Sequence, residues 1–169
     1  YLVFDLDPGP GTSIVECCRV ARWVGKLLGR DVLFPKTSGS KGLQLYTKVQ
    51  RLTWERLSER AHEIAMSLER DHADDVVSSM RKTLRDGKVL IDWSQNTSSK
   101  TTVAVYSLRA RPEPTVSTPV TWQEVDKCAK SGDPNSLRFE ADDVVRRVEK
   151  LGDLMAPLVA PRARVKAKA

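Results

Sequence analysis

No stretch of this 169-residue chain approaches the roughly 18 consecutive apolar residues of a membrane-spanning helix. Cysteine is scarce, with only Cys17, Cys18 and Cys128. The three lack metal-ligand spacing, and the adjacent Cys17 and Cys18 fall in a helical pattern, so they read as buried, reduced thiols of a cytoplasmic protein. There is no initial methionine and no charged-then-apolar leader, so the chain as given carries no signal peptide and reads as a fragment with something upstream removed. Internal repeats and long low-complexity segments are also missing. What is present, 40% hydrophobic and 30% charged residues, suffices to bury the core of one domain or of one lobe of a larger one. A net charge of +6 and a pI near 9.4 suit a polyanionic partner such as nucleic acid without requiring one.

Tyr1 to Leu6 alternates around Leu2, Phe4 and Leu6 and predicts a strand, which Pro8-Gly9-Pro10-Gly11 breaks. Thr12 or Ser13 caps a helix whose apolar face is Ile14, Val15, Cys18, Val20, Ala21, Val24, Leu27 and Leu28, and Gly29 ends it. Val32 to Pro35 reads as a short strand, Lys36 to Gly42 as a polar turn, and Leu43 to Val49 as a further strand. Thr53 opens a long helix to about Arg70, with Trp54, Leu57, Ala61, Ile64, Ala65 and Leu68 at helical spacing. A second helical stretch is expected over Asp74 to Arg85, then a strand over Lys88 to Asp92.

The resulting order is that of an RRM-like or ferredoxin-like split β-α-β unit, an α+β fold with the first strand between the third and fourth. The first two strands run parallel, which brings the loop after Leu6 and the Lys36 to Gly42 loop to one rim. Beyond Asp92, Thr101 to Leu108 fits helix or strand, Arg111 to Pro119 is an extended connector with three prolines, and Thr121 with Glu124 forms a capping box. A C-terminal helix over Ala141 to Leu151 would bury Val144, Val145, Val148 and Leu151. Residues 161–169 form a basic tail after a folded unit spanning 1–160.

Four segments carry chemistry. In Phe4-Asp5-Leu6-Asp7 the two carboxylates point to one face of a strand and can converge on a hard divalent cation. Lys36-Thr37-Ser38-Gly39-Ser40-Lys41-Gly42 offers backbone N–H groups, hydroxyls and a lysine to a triphosphate, although no helix follows it as in a P-loop. Leu90-Ile91-Asp92 ends an apolar strand on a third carboxylate, as two-metal phosphoryl transfer requires. The idealised topology places that strand's end on the opposite rim, a conflict that only an offset of the strand relieves. Arg109 and Arg111 alternate on one face of an extended segment and could neutralise phosphates. Each pattern taken alone also fits an ordinary solvated strand end, turn or charge pair.

Taken together, LVFDLDPGPG, KTSGSKGLQLY, VLIDWSQN and KTTVAVYSLRARPEPTVSTPVTW, with a C-terminal LGDLMAPL, resemble the polymerase domain of bacterial ligase D, within the archaeo-eukaryotic primase superfamily. The resemblance runs in order through nearly the whole chain. It implies a catalytic lobe of a primase-polymerase with C-terminal helices, in a bacterial cytoplasmic, nucleoid-associated protein. The activity it implies is a template-directed DNA/RNA polymerase filling short gaps or ends in DNA repair. Asp5, Asp7 and Asp92 match metal-binding aspartates that use Mn2+ or Mg2+. Ser38 and Lys41 match contacts to the incoming nucleotide, Arg109 matches an arginine at its triphosphate, and Gln95 and Arg111 lie around the same site. The implied partners are gapped or broken duplex DNA, NTP or dNTP, and end-joining repair proteins.

Two departures qualify the resemblance. Gln44 stands where the family has a histidine, so a group that donates a hydrogen bond but carries no charge would face the nucleotide. The family's region ahead of the first motif is also missing. These departures suggest, as an alternative, a catalytically weak stand-alone paralogue that binds DNA ends. An RNA-binding module of the RRM type shares the strand order, but it needs exposed aromatics where this chain places acids.

Overall fold

The computed structural model describes residues 1–160; the basic tail expected at 161–169 lies outside them. Its centre is β1 (Leu2–Pro8), whose Leu2, Phe4 and Leu6 are buried on one face. Antiparallel neighbours flank it: β3 (Leu43–Thr47) on one side and β5 (Val89–Asp92) on the other. β2 (Phe34–Thr37) pairs antiparallel with β3, and β4 (Val76–Val77) pairs parallel with β5. The mixed sheet therefore runs β2-β3-β1-β5-β4, with β1 where the sequence placed it.

Two helices cover the apolar face. α1 (Ile14–Leu28) starts at a Ser13–Glu16 capping box and packs Val15, Cys18, Val20 and Val24 into the core. α2 (Trp54–Asp71) is capped by Thr53 and buries Leu57, Ala61, Ala65 and Leu68. Both helices pack against β1, and α3 (Trp122–Ser131), opened by the expected Thr121–Glu124 box, lies along α1. α4 (Ala141–Leu151) and the short α5 (Ala156–Val159) complete the C-terminal part. Among the described residues no helix is long and apolar enough to cross a membrane.

Several expectations need correction. The stretch Asp74 to Arg85 is not a helix. Its β-branched Val76 and Val77 pair with Val89 and Leu90 as an edge strand, and only a 3-10 turn at Lys82–Leu84 follows. Sheet pairing overrides local propensity there. On α4 only Val144 is buried, while Val145, Val148 and Leu151 are exposed. Consecutive residues point about 100° apart on a helix, and the buried stripe of α4 is narrow enough to take Val144 and leave Val145 outside it. Leu27 and Trp54 likewise sit exposed at the margins of their helices. Thr101 to Leu108 forms neither regular element. It enters an irregular hairpin bridged at Leu108 and Val116, in which Tyr106 takes a positive φ of 64°.

Candidate active site

The face of the sheet turned away from α1 and α2 carries the chemistry. Directly opposed residues of antiparallel strands share a face, with Cα atoms about 4.5–5.5 Å apart. Asp5 is opposed by Gln44 on one side and by Asp92 on the other, and Gln44 is opposed in turn by Lys36. Backbone register thus lays Lys36, Gln44, Asp5 and Asp92 in one row across four strands, with Asp7 two residues further along β1. All four members of the row are buried, Lys36 to 1% exposure. The rim conflict over Asp92 disappears because β5 is offset, so that its last residue meets the middle of β1.

Burial sets the electrostatics of this row. It pushes the Asp5 carboxyl up to about 7; Asp7 and Asp92 add to the rise, whereas Gln44 and Lys36 oppose it. Burial, then Asp92, also raises Asp7, with Arg85 opposing. The buried Lys36 amine is pulled down to about 8, chiefly by desolvation. Its Nζ donates to Ser117 Oγ at 2.7 Å and sits 5.6 Å from the Tyr46 ring centroid. Asp5 Oδ1 is buried with no hydrogen-bond partner. A buried acceptor without a donor, among carboxylates that resist ionising together, fits a cation supplied from outside.

The three aspartates are not equally available. Asp92 caps the 3-10 turn Trp93–Gln95: Oδ1 accepts from Ser94 N at 2.9 Å and Ser94 Oγ at 2.5 Å, and Oδ2 accepts from Gln95 Nε2 at 2.9 Å. Turned toward its own loop, it does not close a compact cluster, and no group of three or more His, Cys, Asp or Glu positioned to hold one ion occurs among the described residues. Asp5 is as buried as Asp92 but makes no comparable hydrogen bonds to its own loop, and Asp7 is half-buried beside it. Beyond these hydrogen bonds the Asp92 carboxylate retains lone pairs that face Asp5 across the strand pair. Hard oxygen donors of this kind suit Mg2+ or Mn2+, which keep several waters and share substrate phosphates. Gln95 serves as a holder of Asp92.

The phosphate-loop candidates assemble on the same rim. Gly42 lies so close to β1 that a Cβ there would stand 2.5 Å from Leu6 O and 3.3 Å from Asp7 Oδ1, so only glycine lets the loop approach. Gly39 adopts φ +65°, and its open side is filled by Arg109 and Ser117. Ser38 Oγ accepts from Ser40 N at 3.2 Å and Gly42 N at 3.1 Å, shaping the loop and leaving its own proton free. Arg111 donates to Ser40 Oγ. Ser38, Lys41, Arg109 and Arg111 are therefore brought together around one loop. A cleft of about 610 Å³ adjoins it, lined by Ser40, Lys41 and Arg111 but by none of the three aspartates.

A family model described as the LigD primase-polymerase domain matches residues 1–155. The chain belongs to the LigD primase-polymerase family. It is 46% identical over 162 residues to a "Multifunctional non-homologous end joining DNA repair protein LigD" of Mycobacterium tuberculosis, covering 94% of this chain and 21% of that protein. The Pseudomonas aeruginosa LigD is 33% identical over 128 residues, covering 73% of this chain and 15% of that protein. A solved polymerase domain from M. tuberculosis ligase D, in complex with DNA, superposes with a TM-score of 0.84 at 45% identity. It covers 95% of this chain and 55% of that one. The chain thus spans about a fifth of the length of its mycobacterial LigD relative, and the fold described above is that of the LigD polymerase domain.

Sequence reasoning passed over three residues of this site. A strand read over Val32 to Pro35 leaves Lys36 in the following loop, whereas β2 runs two residues later and its register brings Lys36 into the polar row. Tyr46 lies two residues beyond Gln44 on the same face, where its hydroxyl meets Gln44 Oε1. Asn96 accepts from Val3 N and donates to Val3 O, both at 2.8 Å, extending the β1 ladder past the end of β5 and anchoring the turn that holds Asp92. A period-2 reading continued through Lys36 and Tyr46 would have found the first two. No local signal marks the third.

Proposed function

We propose that this chain is the catalytic part, residues 1–160, of a template-directed nucleotidyltransferase that extends DNA primers across short gaps or at broken ends during end-joining repair. The observation that carries the reading is the in-register Asp5–Asp92 pair, with Asp7 beside it and the Ser38–Gly42 loop against Asp7 across the rim. The end-joining names of the relatives and the DNA held by the solved relative support the choice of substrate.

In the reaction a primer 3′-oxygen bonds to the α-phosphorus of a nucleoside triphosphate, the bond to the β-phosphate oxygen breaks, and pyrophosphate leaves. Asp5, Asp7 and Asp92 would hold Mn2+ or Mg2+, which when bound supply positive charge to the phosphates and lower the pKa of the attacking hydroxyl. Lys41 and Arg109, with Arg111 at the outer edge, neutralise the triphosphate, and the Ser38 hydroxyl donates to it. Burial of the row strengthens the interactions that Asp5 and Asp92 would make there. Gap-filling during end joining places the activity on bacterial DNA in the cytoplasm, beside end-joining proteins.

The test is Asp7→Ala in the complete protein, assayed by nucleotide incorporation on a gapped duplex with Mn2+. Extension is expected to fall by about a thousandfold, several kcal/mol of lost phosphate stabilisation, with DNA affinity retained. Extension at the parental rate would overturn the proposal. Gln44, engaged with Tyr46 where the family has histidine, favours a second reading, a weak paralogue that binds DNA ends. DNA binding with no incorporation by the parental protein would select it.

A further inference from the structure

Gln44 and Tyr46 share the open face of β3, and Gln44 stands directly opposite Asp5 at 3% exposure. The Gln44 oxygen accepts from the Tyr46 hydroxyl at 3.3 Å, and that hydroxyl is 2.6 Å from Thr102 Oγ1. With its oxygen committed to Tyr46, the amide presents its NH2 group toward its cross-strand neighbour. An ionised carboxylate only accepts hydrogen bonds, so this is the orientation in which Gln44 and Asp5 attract rather than repel. Asp5 Oδ1 meanwhile has no protein partner.

We infer that Thr102, Tyr46 and Gln44 form a hydrogen-bonded chain that fixes the orientation of the Asp5 carboxylate, making Gln44 a positioning residue for the metal-binding aspartate and not a ligand of the nucleotide phosphates. The inference rests on the reading of Asp5, Asp7 and Asp92 as the metal-binding set. Glutamine suits the role better than a cation would. Its oxygen matches a phenol donor, its nitrogen matches a carboxylate, and it adds no charge to compete with a divalent ion. The chain also ties the site to the segment around Thr102, which lies on no regular element and gains a fixed point through Tyr46.

The experiment is Mn2+ binding to the complete protein, read from the electron paramagnetic resonance of free Mn2+, for the parent, Tyr46→Phe, Gln44→Leu and Asp7→Ala. Steady-state kinetics at saturating Mn2+ run beside it. Groups that orient metal ligands typically contribute about 10- to 100-fold in metal affinity. Tyr46→Phe deletes one hydroxyl and is expected to weaken Mn2+ binding about tenfold, and Gln44→Leu by more, with the nucleotide KM little changed. Unchanged Mn2+ affinity in both variants, or a raised nucleotide KM with normal Mn2+ affinity, would overturn the inference. Asp7→Ala separates the two levels. If it leaves Mn2+ binding intact, the metal reading itself fails. If it abolishes binding while Tyr46→Phe and Gln44→Leu preserve it, only the positioning chain fails. Gln44→His, which restores the family residue, is expected to lose part of the Mn2+ affinity; a lower nucleotide KM at parental Mn2+ affinity would instead assign position 44 to the phosphates.

Discussion

The two faces of the sheet are built from the same strands and answer to different demands. Along β1, Leu2, Phe4 and Leu6 turn to the helices, and Val3, Asp5 and Asp7 turn the other way. The helix face is apolar, close-packed and stabilised by removing surface from water. The opposite face buries Lys36, Gln44, Asp5 and Asp92, groups whose desolvation is unfavourable and only partly offset by their neighbours. One face holds the fold together; the other is carried by it at a cost in stability. The proposed site, which would strip water from phosphates and ions, gives a reason to accept that cost.

Adjacent substitutions on β1 break this comparison most sharply. Phe4 is fully buried, and Phe4→Ala is expected to destabilise the protein by about 3–5 kcal/mol. Asp5→Asn keeps the shape and removes a carboxylate held near pKa 7 by burial. In metal-free protein it is expected to leave the urea midpoint unchanged or raise it, while primer extension falls by about a thousandfold. Equal destabilisation by the two would mean that the polar face contributes to stability as the apolar face does.

The pH dependence of the metal-free protein sharpens the same contrast. Above about pH 5 the carboxylates lowered by ion pairs or caps, such as Asp126 and Asp143, are ionised in folded and unfolded chains alike. Asp5, with a folded pKa of about 7 against an ordinary 3.8, still holds a proton in the fold. The folded state therefore binds more protons between about pH 5 and 7, and stability falls as pH rises through that window. Asp7 acts in the same direction. Lys36 has the opposite sign: lowered to about 8 from 10.5, it loses its proton in the fold first, so stability climbs again above about pH 8. A trough near pH 7 to 8 is expected in thermal unfolding. Asp5→Asn is expected to flatten most of its acid limb, leaving the smaller share from Asp7, Lys36→Met to flatten its alkaline limb, and added Mn2+ to raise the floor. A flat profile in the metal-free parent would contradict this.

What was legible in the sequence follows the same division. The apolar face announced itself through period-2 alternation in β1 and period-3.6 stripes in α1 and α2, because burial of alternate residues is a local signal. The caps at Ser13, Thr53 and Thr121 were legible for the same reason. Asp5 and Asp7 were placed together by strand geometry alone. That Asp92 faces Asp5, and that Lys36 and Gln44 complete the row, depends on the register between strands far apart in the chain, which no single segment encodes. The edge strand Val76–Val77 was lost for a related reason: two residues are too few to show a period, and only pairing with β5 defines them.

The Ser38–Gly42 loop, proposed to hold phosphate, provides the mildest test, because its cations come from outside the sheet. Arg109 lies partly buried against Gly39, with its stem filling the space beside that glycine, whereas Arg111 is exposed and, among the described residues, holds only Ser40. An exposed charge is screened by water and salt and contributes about 0–1 kcal/mol. Arg111→Ala is therefore expected to raise the nucleotide KM by about fivefold at most. A desolvated guanidinium on a phosphate is worth more, about 1.5–3 kcal/mol, so Arg109→Ala is expected to raise KM by about 10- to 100-fold. Measuring both series at low and high ionic strength adds a second check, since the Arg111 effect is expected to vanish with salt and the Arg109 effect to persist. If the two variants respond alike, the loop behaves as open surface, and only the row on the sheet is organised for catalysis.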